Sequence, residues 1–202
     1  MRHNLWLWIG LPAALLAAAL CLHCVSLTLP VHHEPVTVLR EYRDPFAAAE
    51  NWDAETRMRM QGAALEAAQR VGGNEGMYID WSRGARLVVQ VVDADEAKKN
   101  RILQRSGNPE WVIIEDASFR RKDLQTFVNA CAELLWDKEV RVWGWGAHTM
   151  LNGIFLAVDP VQLDDAERIL LENALELWRE IDPEADFAPT VLLMGSGPIE
   201  LC

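Results

Sequence analysis

The first pattern along the chain is a long apolar run. Leu5 to Leu22 carries no charged side chain, and the apolar character continues towards Val31, broken mainly by Pro12, His23 and Pro30. A segment with no polar face does not suit a helix on the surface of a globular fold. Its length is about the ~20 residues that span a bilayer. Arg2 ahead of the run and Ala17-Ala18-Ala19 within it also supply the basic start and small residues of a secretory signal. Residues 1–30 are therefore read as a signal peptide or a membrane anchor, one hydrophobic helix that crosses the membrane through residues 5–29 if it stays uncleaved. In either case the remainder is extracytoplasmic, membrane-anchored or secreted. Residues 31–52 follow as a tether, with no clear strand from Leu39 to Asp53.

Beyond the tether the periodicity becomes that of a folded domain. Ala54–Val71 predicts a helix with Asp53 as N-cap, Gly72-Gly73 at its end and Met58, Leu65, Ala68 and Val71 on its apolar side. Met77–Trp81 and Arg86–Val92 read as a β-hairpin around Gly84. Asp93 and Glu96 then fit a capping box for a helix running to about Arg105. Ser106-Gly107-Asn108-Pro109 breaks that helix, and Trp111–Glu115 has the β-branched density of a buried strand.

The order then starts again. Arg121–Trp136 predicts a helix whose Leu124, Phe127, Val128, Cys131, Leu134 and Leu135 recur at three-and-four spacing. Val140–Ala147 and Leu151–Val158 predict a second hairpin, Asp159, Pro160 and Gln162 a second capping box, and Thr190–Met194 a last strand. Asp93 falls on Asp159, Val92 on Val158, Glu96 on Gln162 and Leu65 on Cys131, a spacing of 66. The fold expected is α+β, a tandem α-β-β-α-β repeat over 53–118 and 119–195 with a tail at 196–202. Helices need cover only one face of each small sheet, and the two halves are expected to share a core or a continuous sheet.

Composition narrows the function. Nineteen Lys and Arg against 30 Asp and Glu leave the chain at -11, and loss of Arg2 with the leader would make it -12. Such a surface repels phosphate backbones, so no nucleic-acid partner is expected. No catalytic, cofactor or metal motif stands out. Gly195-Ser196-Gly197-Pro198 lacks the neighbours of a protease nucleophile, and no phosphate loop or dinucleotide fingerprint is present. Cys21 and Cys24 lie inside the apolar leader, His32-His33-Glu34 in the tether, and His148 at a hairpin turn. Acidic pairs such as Asp164-Asp165 suit helix starts better than metal binding. Trp143 and Trp145 alternate with Gly144 and Gly146, so their indoles form a binding surface or pack beneath a helix. An oxidising compartment permits a Cys131–Cys202 disulfide, the alternative being a buried small hydrophobe at Cys131.

The segment containing Gly76, Tyr78, Asp80, Val91 and Asp93, with its counterpart containing Asn152, Val158, Asp159 and Pro160, resembles the pro-regions of streptogrisin-like and alpha-lytic-type secreted serine proteases. The resemblance spans about Asp53 to Gly197. It implies a non-enzymatic folding assistant and inhibitor that pairs a sheet edge with a protease and places its tail in the active site. The positions implied are Thr190, Val191, Leu192, Leu193, Met194, Gly195, Ser196 and Gly197. No protease domain follows in this chain, so the implied partner is a separate secreted serine protease or another extracytoplasmic protein. The competing reading is a structural, envelope-associated α+β domain with an unrelated partner.

Overall fold

A computed structural model describes residues 34–42, 49–72 and 74–197. The leader with Cys21 and Cys24, His32, His33 and Cys202 lie outside the described residues. Every element below belongs to one unit, Pro35–Cys202.

Among the described residues the fold is α+β, with four α-helices and two small mixed sheets. The strands are β1 (Val38–Leu39), β2 (Gly76–Asp80), β3 (Arg86–Val91), β4 (Val112–Asp116), β5 (Val142–His148), β6 (Gly153–Val158) and β7 (Val191–Gly195). The helices are α1 (Ala54–Arg70), α2 (Glu96–Ser106), α3 (Arg121–Asp137) and α4 (Leu163–Arg179). One sheet has the order β2-β3-β4, the other β1-β7-β6-β5. In each, a hairpin is antiparallel (β2 with β3, β5 with β6) and the strand after the next helix joins in parallel (β4 on β3, β7 on β6).

The expectation of a shared core or continuous sheet is corrected, because each sheet packs its own apolar cluster against its own helices. Leu87, Val89 and Val91 meet Ala64, Ala67, Ile102 and Val112. Ile154, Leu156 and Val158 meet Phe127, Cys131, Leu135, Leu170 and Trp178. Nor are the opposite faces open to water. Val88 and Gln90 point away from the first cluster by strand alternation, yet they are only 0% and 4% exposed.

Several local expectations also change. The α1 side that packs is the alanine side, Ala64 and Ala67 with Ala68 and Val71, which lets the helix sit close to its sheet. Met58 and Leu65 are 70% and 62% exposed on the outside. Asp53 does cap α1, accepting the Thr56 N–H at 2.8 Å. The cap of α2 is Asp95, accepting from Lys98 N–H at 2.6 Å, and not Asp93, whose positive φ of 52° belongs to the turn leaving β3. Asp159 accepts the Val161 N–H at 3.1 Å over a short 3-10 turn, and α4 starts only at Leu163. Gln162 closes no capping box: its carboxamide accepts from Arg141 N–H at 2.9 Å and donates to the Glu139 carbonyl at 2.9 Å, tying α4 to the chain entering β5.

The α3 face is as expected, with Leu124, Phe127, Val128, Cys131 and Leu135 buried. Between Val142 and Gly144 the β5 register shifts, so two-residue alternation does not carry across Trp143 to Trp145. Trp145 packs edge-on against Trp136 with centroids 5.0 Å apart, and its Nε1 donates to Asn129 Oδ1 at 3.0 Å. The two rings remain 39% and 44% exposed.

Candidate partner-binding edge

The expected partner-binding strand lies inside its sheet. β7 is paired with β6 on one side and with β1 on the other, Val38 opposite Val191 and Leu39 opposite Leu192. Ala188 N–H donates to the Pro35 carbonyl at 2.8 Å and Val191 N–H to the Thr37 carbonyl at 2.9 Å. The outer edge of β7 at Val191 and Leu192 is thus filled by the chain's own tether. A strand in the tether was not expected, although Pro35-Val36-Thr37-Val38 carries the β-branched alternation that signals one.

Side chains hold this strap in place. Val36 is 5% exposed within the second core, and Val38 packs against the same cluster. Arg40 Nη2 lies 2.7 Å from Asp164 Oδ1, and Arg40 Nε donates to Glu167 Oε2 at 2.8 Å on α4. These two partners hold the guanidinium more firmly protonated than an ordinary arginine. Asp164 of the acidic pair therefore serves as an anchor for the tether.

The candidate residues divide accordingly. Val191, Leu192 and Leu193 are buried at 0%, 3% and 0%, and the Thr190 carbonyl accepts from Ile154 N–H at 3.0 Å. Those four residues build the fold, leaving no side chain or edge at Val191 and Leu192 for a partner. Met194 is 37% exposed, and Gly195 lies past the end of β1, against Pro160. Ser196 N–H still donates to the Val158 carbonyl at 2.8 Å, while Gly197 is exposed. Val161 is 88% exposed in the turn that also carries Pro160.

Cys131 is fully buried in the second core, and burial pushes its thiol up to about 12. His148 closes β5, where its Nδ1 accepts from Leu151 N–H at 3.3 Å and its ring meets Tyr42 edge-on. Among the described residues, no group of three or more His, Cys, Asp or Glu could hold a metal ion, and no helix is long and apolar enough to cross a membrane.

The densest polar constellation escaped the sequence reading. Asp80, 6% exposed, accepts from Ser82 N–H at 2.9 Å, Ser82 Oγ–H at 2.5 Å and Arg83 Nε–H at 2.5 Å. Arg83 Nη2 donates to Glu115 Oε1 at 2.7 Å, and the Tyr78 hydroxyl donates to Glu115 Oε2 at 3.0 Å. Burial acts to raise the Asp80 carboxyl, but the bonds from Ser82 and Arg83 outweigh it and hold it below the usual carboxylate range. Burial, with Glu115 next, pushes the Tyr78 hydroxyl up to about 12. Each carboxylate here accepts hydrogen bonds, Asp80 from Ser82 and Arg83 and Glu115 from Arg83 and Tyr78, and the cluster pins the first hairpin to β4.

Glycines mark the close approaches. A Cβ at Gly76 would lie 2.4 Å from Thr149 Cγ2, and one at Gly153 would lie 2.4 Å from the Thr190 carbonyl oxygen. Compared with known proteins, the chain matches no family model and no curated relative.

Proposed function

We propose that this chain is an exported or membrane-anchored, non-enzymatic protein-binding module that engages a separate extracytoplasmic protein, a secreted serine protease being the first candidate. The observation that carries the reading is the exit of the chain from β7. Met194 is exposed, Gly195 extends past β1, and Gly197 leads into the tail from the end of the four-stranded sheet. The binding element is accordingly Met194–Gly197 with the residues after it, and not the whole of Thr190–Gly197. Side chains of a tail held by a rigid strand give specificity at low ordering cost.

The body is a tandem duplication in this reading, preceded by the hydrophobic N-terminal helix. Support comes from the strand registers: Leu87 faces Val112 as Ile154 faces Val191, and Ala117 N–H bonds Val91 as Ser196 N–H bonds Val158. Leu87 and Ile154 are 67 apart, as are the first residues of α1 and α3 and of α2 and α4, one more than the spacing of 66 read from the sequence.

The test is a titration of the full-length chain in detergent micelles against a panel of chymotrypsin-fold serine proteases. Saturable inhibition that is lost on deleting Gly195–Cys202 is the expected result. A folded chain that neither binds nor inhibits any member overturns the protease reading.

A further inference from the structure

The two sheets leave corresponding edges in different states. On β7, Val191 N–H points away from β6 and meets the Thr37 carbonyl, while Ser196 N–H points back to Val158. On β4, Ala117 N–H points back to Val91 at 2.9 Å. Alternation from that bond turns Val112, Ile114 and Asp116 away from β3; the Val112 N–H bonds the Pro109 carbonyl, so the outward donors left for a guest are the N–H groups of Ile114 and Asp116. Among the described residues no strand lies beyond β4. Val112-Ile113-Ile114 is thus an apolar stretch on an unpaired edge, of a kind that proteins usually cover or blunt with charge. Only Glu115 and Asp116, at its far end, supply charge.

We propose that the outer edge of β4 is a docking site for an extended segment of a partner protein, added parallel to β4 as β1 is added to β7. The inference rests on the duplication reading given above. The internal occupant of the equivalent edge defines the chemistry of the guest. Val36 and Val38 place β-branched side chains at alternate positions against the helix-side core. Val112 and Ile114 lie on the corresponding side of β4, within the first core, so the guest carries apolar β-branched residues two apart. The charged anchor differs. Asp164 and Glu167, which hold Arg40, correspond at a spacing of 67 to Ala97 and Asn100 on α2. Lys99 stands beside them, 3.3 Å from Asp116. An arginine at that point of the guest would find no carboxylate at those positions, so the guest is uncharged or acidic there.

The experiment is amide exchange by NMR on the full-length chain in micelles, alone and titrated to millimolar concentration with the peptide Pro-Val-Thr-Val-Leu-Gln. In the free chain, the outward amides of Ile114 and Asp116 exchange faster than the inward amides of Ile113 and Glu115, while the Val112 amide, bonded to Pro109, is no reporter of the edge. Peptide slows the Ile114 and Asp116 amides by about tenfold or more and leaves the inward two unchanged. An Ile114→Pro variant that keeps the wild-type circular dichroism loses the effect, since it lacks the outward donor. Alternation in the free chain with no response to peptide, or a response confined to Val191, overturns the docking site. Absence of alternation along β4 overturns instead the equivalence of the two halves. Neither outcome depends on whether the tail inhibits a protease.

Discussion

The carboxamide of Asn152 closes on both backbone groups of Phe119: its Oδ1 accepts the Phe119 N–H and its Nδ2 donates to the Phe119 carbonyl, each at 2.8 Å. Phe119 lies in the connector from β4 to α3, and Asn152 in the turn between β5 and β6 with φ at 45°. A second bond ties the start of α3 to the residue before β2, from Arg121 N–H to Glu75 Oε2 at 2.9 Å. The connector between the two sheets is thus held by side chains that mimic a strand partner. Asn suits position 152 doubly, because it tolerates left-handed backbone and offers both a donor and an acceptor.

Asn152→Ala is expected to destabilise the fold by roughly 2–4 kcal/mol, since it leaves the Phe119 N–H and C=O without partners. Asn152→Gly loses the same bonds but relieves the backbone, and should be less costly by about 1 kcal/mol. Urea unfolding followed by circular dichroism measures both. Equal stabilities of the two variants would show that the left-handed backbone carries no cost.

Two glycines offer a paired comparison. An alanine Cβ at Gly76 meets the Thr149 side chain, whereas one at Gly153 meets the Thr190 carbonyl, which is committed to Ile154. Gly76→Ala should cost about 1–3 kcal/mol as an overpacked contact. Adding Thr149→Ala should recover most of that loss. Gly153→Ala should be the more severe, and Thr190→Ala should not rescue it, because the obstruction is backbone. A double-mutant cycle by chemical denaturation tests both statements.

The Tyr78 hydroxyl gives a pH-dependent signature. Its pKa is raised from the ordinary 10.0 to about 12, first by burial and then by Glu115. The protonated phenol is therefore favoured by folding, and the stability it contributes is intact below pH ~10 and is lost as pH rises through about 12. Asp80 has the opposite sign. Its depressed pKa contributes stability above the ordinary carboxylate range, lost as the pH falls through its folded value. Absorbance at alkaline pH should show one of the two tyrosines ionising late. Glu115→Gln should bring that tyrosine to lower pH while leaving the contribution of burial.

The strap can be loosened without touching β7 itself. Arg40→Ala removes the partner of Asp164 and Glu167, and Val36→Ala removes buried methyl groups from the second core. Amide exchange at Val191, whose N–H bonds Thr37, should accelerate in each variant and most in the double variant. The amide of Ser196, bonded to Val158 on the inner side, should change little. Equal acceleration at both positions would mean that β7 as a whole had come loose.

Cys131 should be inert in the folded chain. It is buried and its thiol is pushed up to about 12, so little thiolate forms at neutral pH. In a C21S/C24S/C202S variant, reaction with a thiol reagent should follow global unfolding. Rapid reaction of the folded variant would place Cys131 near solvent.

The sequence by itself determined the elements that depend on near neighbours. The three-and-four spacing of Leu124, Phe127, Val128, Cys131 and Leu135 fixed both the existence of α3 and its buried face, and Asp53 fixed the start of α1. Both hairpins and both closing strands were legible for the same reason: alternation and turn residues act within a few positions of each other. The sequence pattern failed where several residues could do the same local job. Asp93 and Asp95 are equally good caps as letters, and the turn geometry after β3 selects Asp95. Met58 and Leu65 are more hydrophobic than Ala64 and Ala67, yet the close approach of α1 to its sheet favours the smaller pair. Only the tertiary structure decided that there are two sheets, that Val38 and Leu39 cover the edge of β7, and that Arg83 joins Asp80 to Glu115. Those decisions rest on backbone groups shared by nearly all residues, paired 153 positions apart at Val38 and Val191, and on the Arg83–Glu115 charge pair 32 positions apart, so no local pattern encodes them. The candidate partner surface depends on the same information: the outer edge of β7 was read from the sequence as free, and distant pairing with the tether fills it.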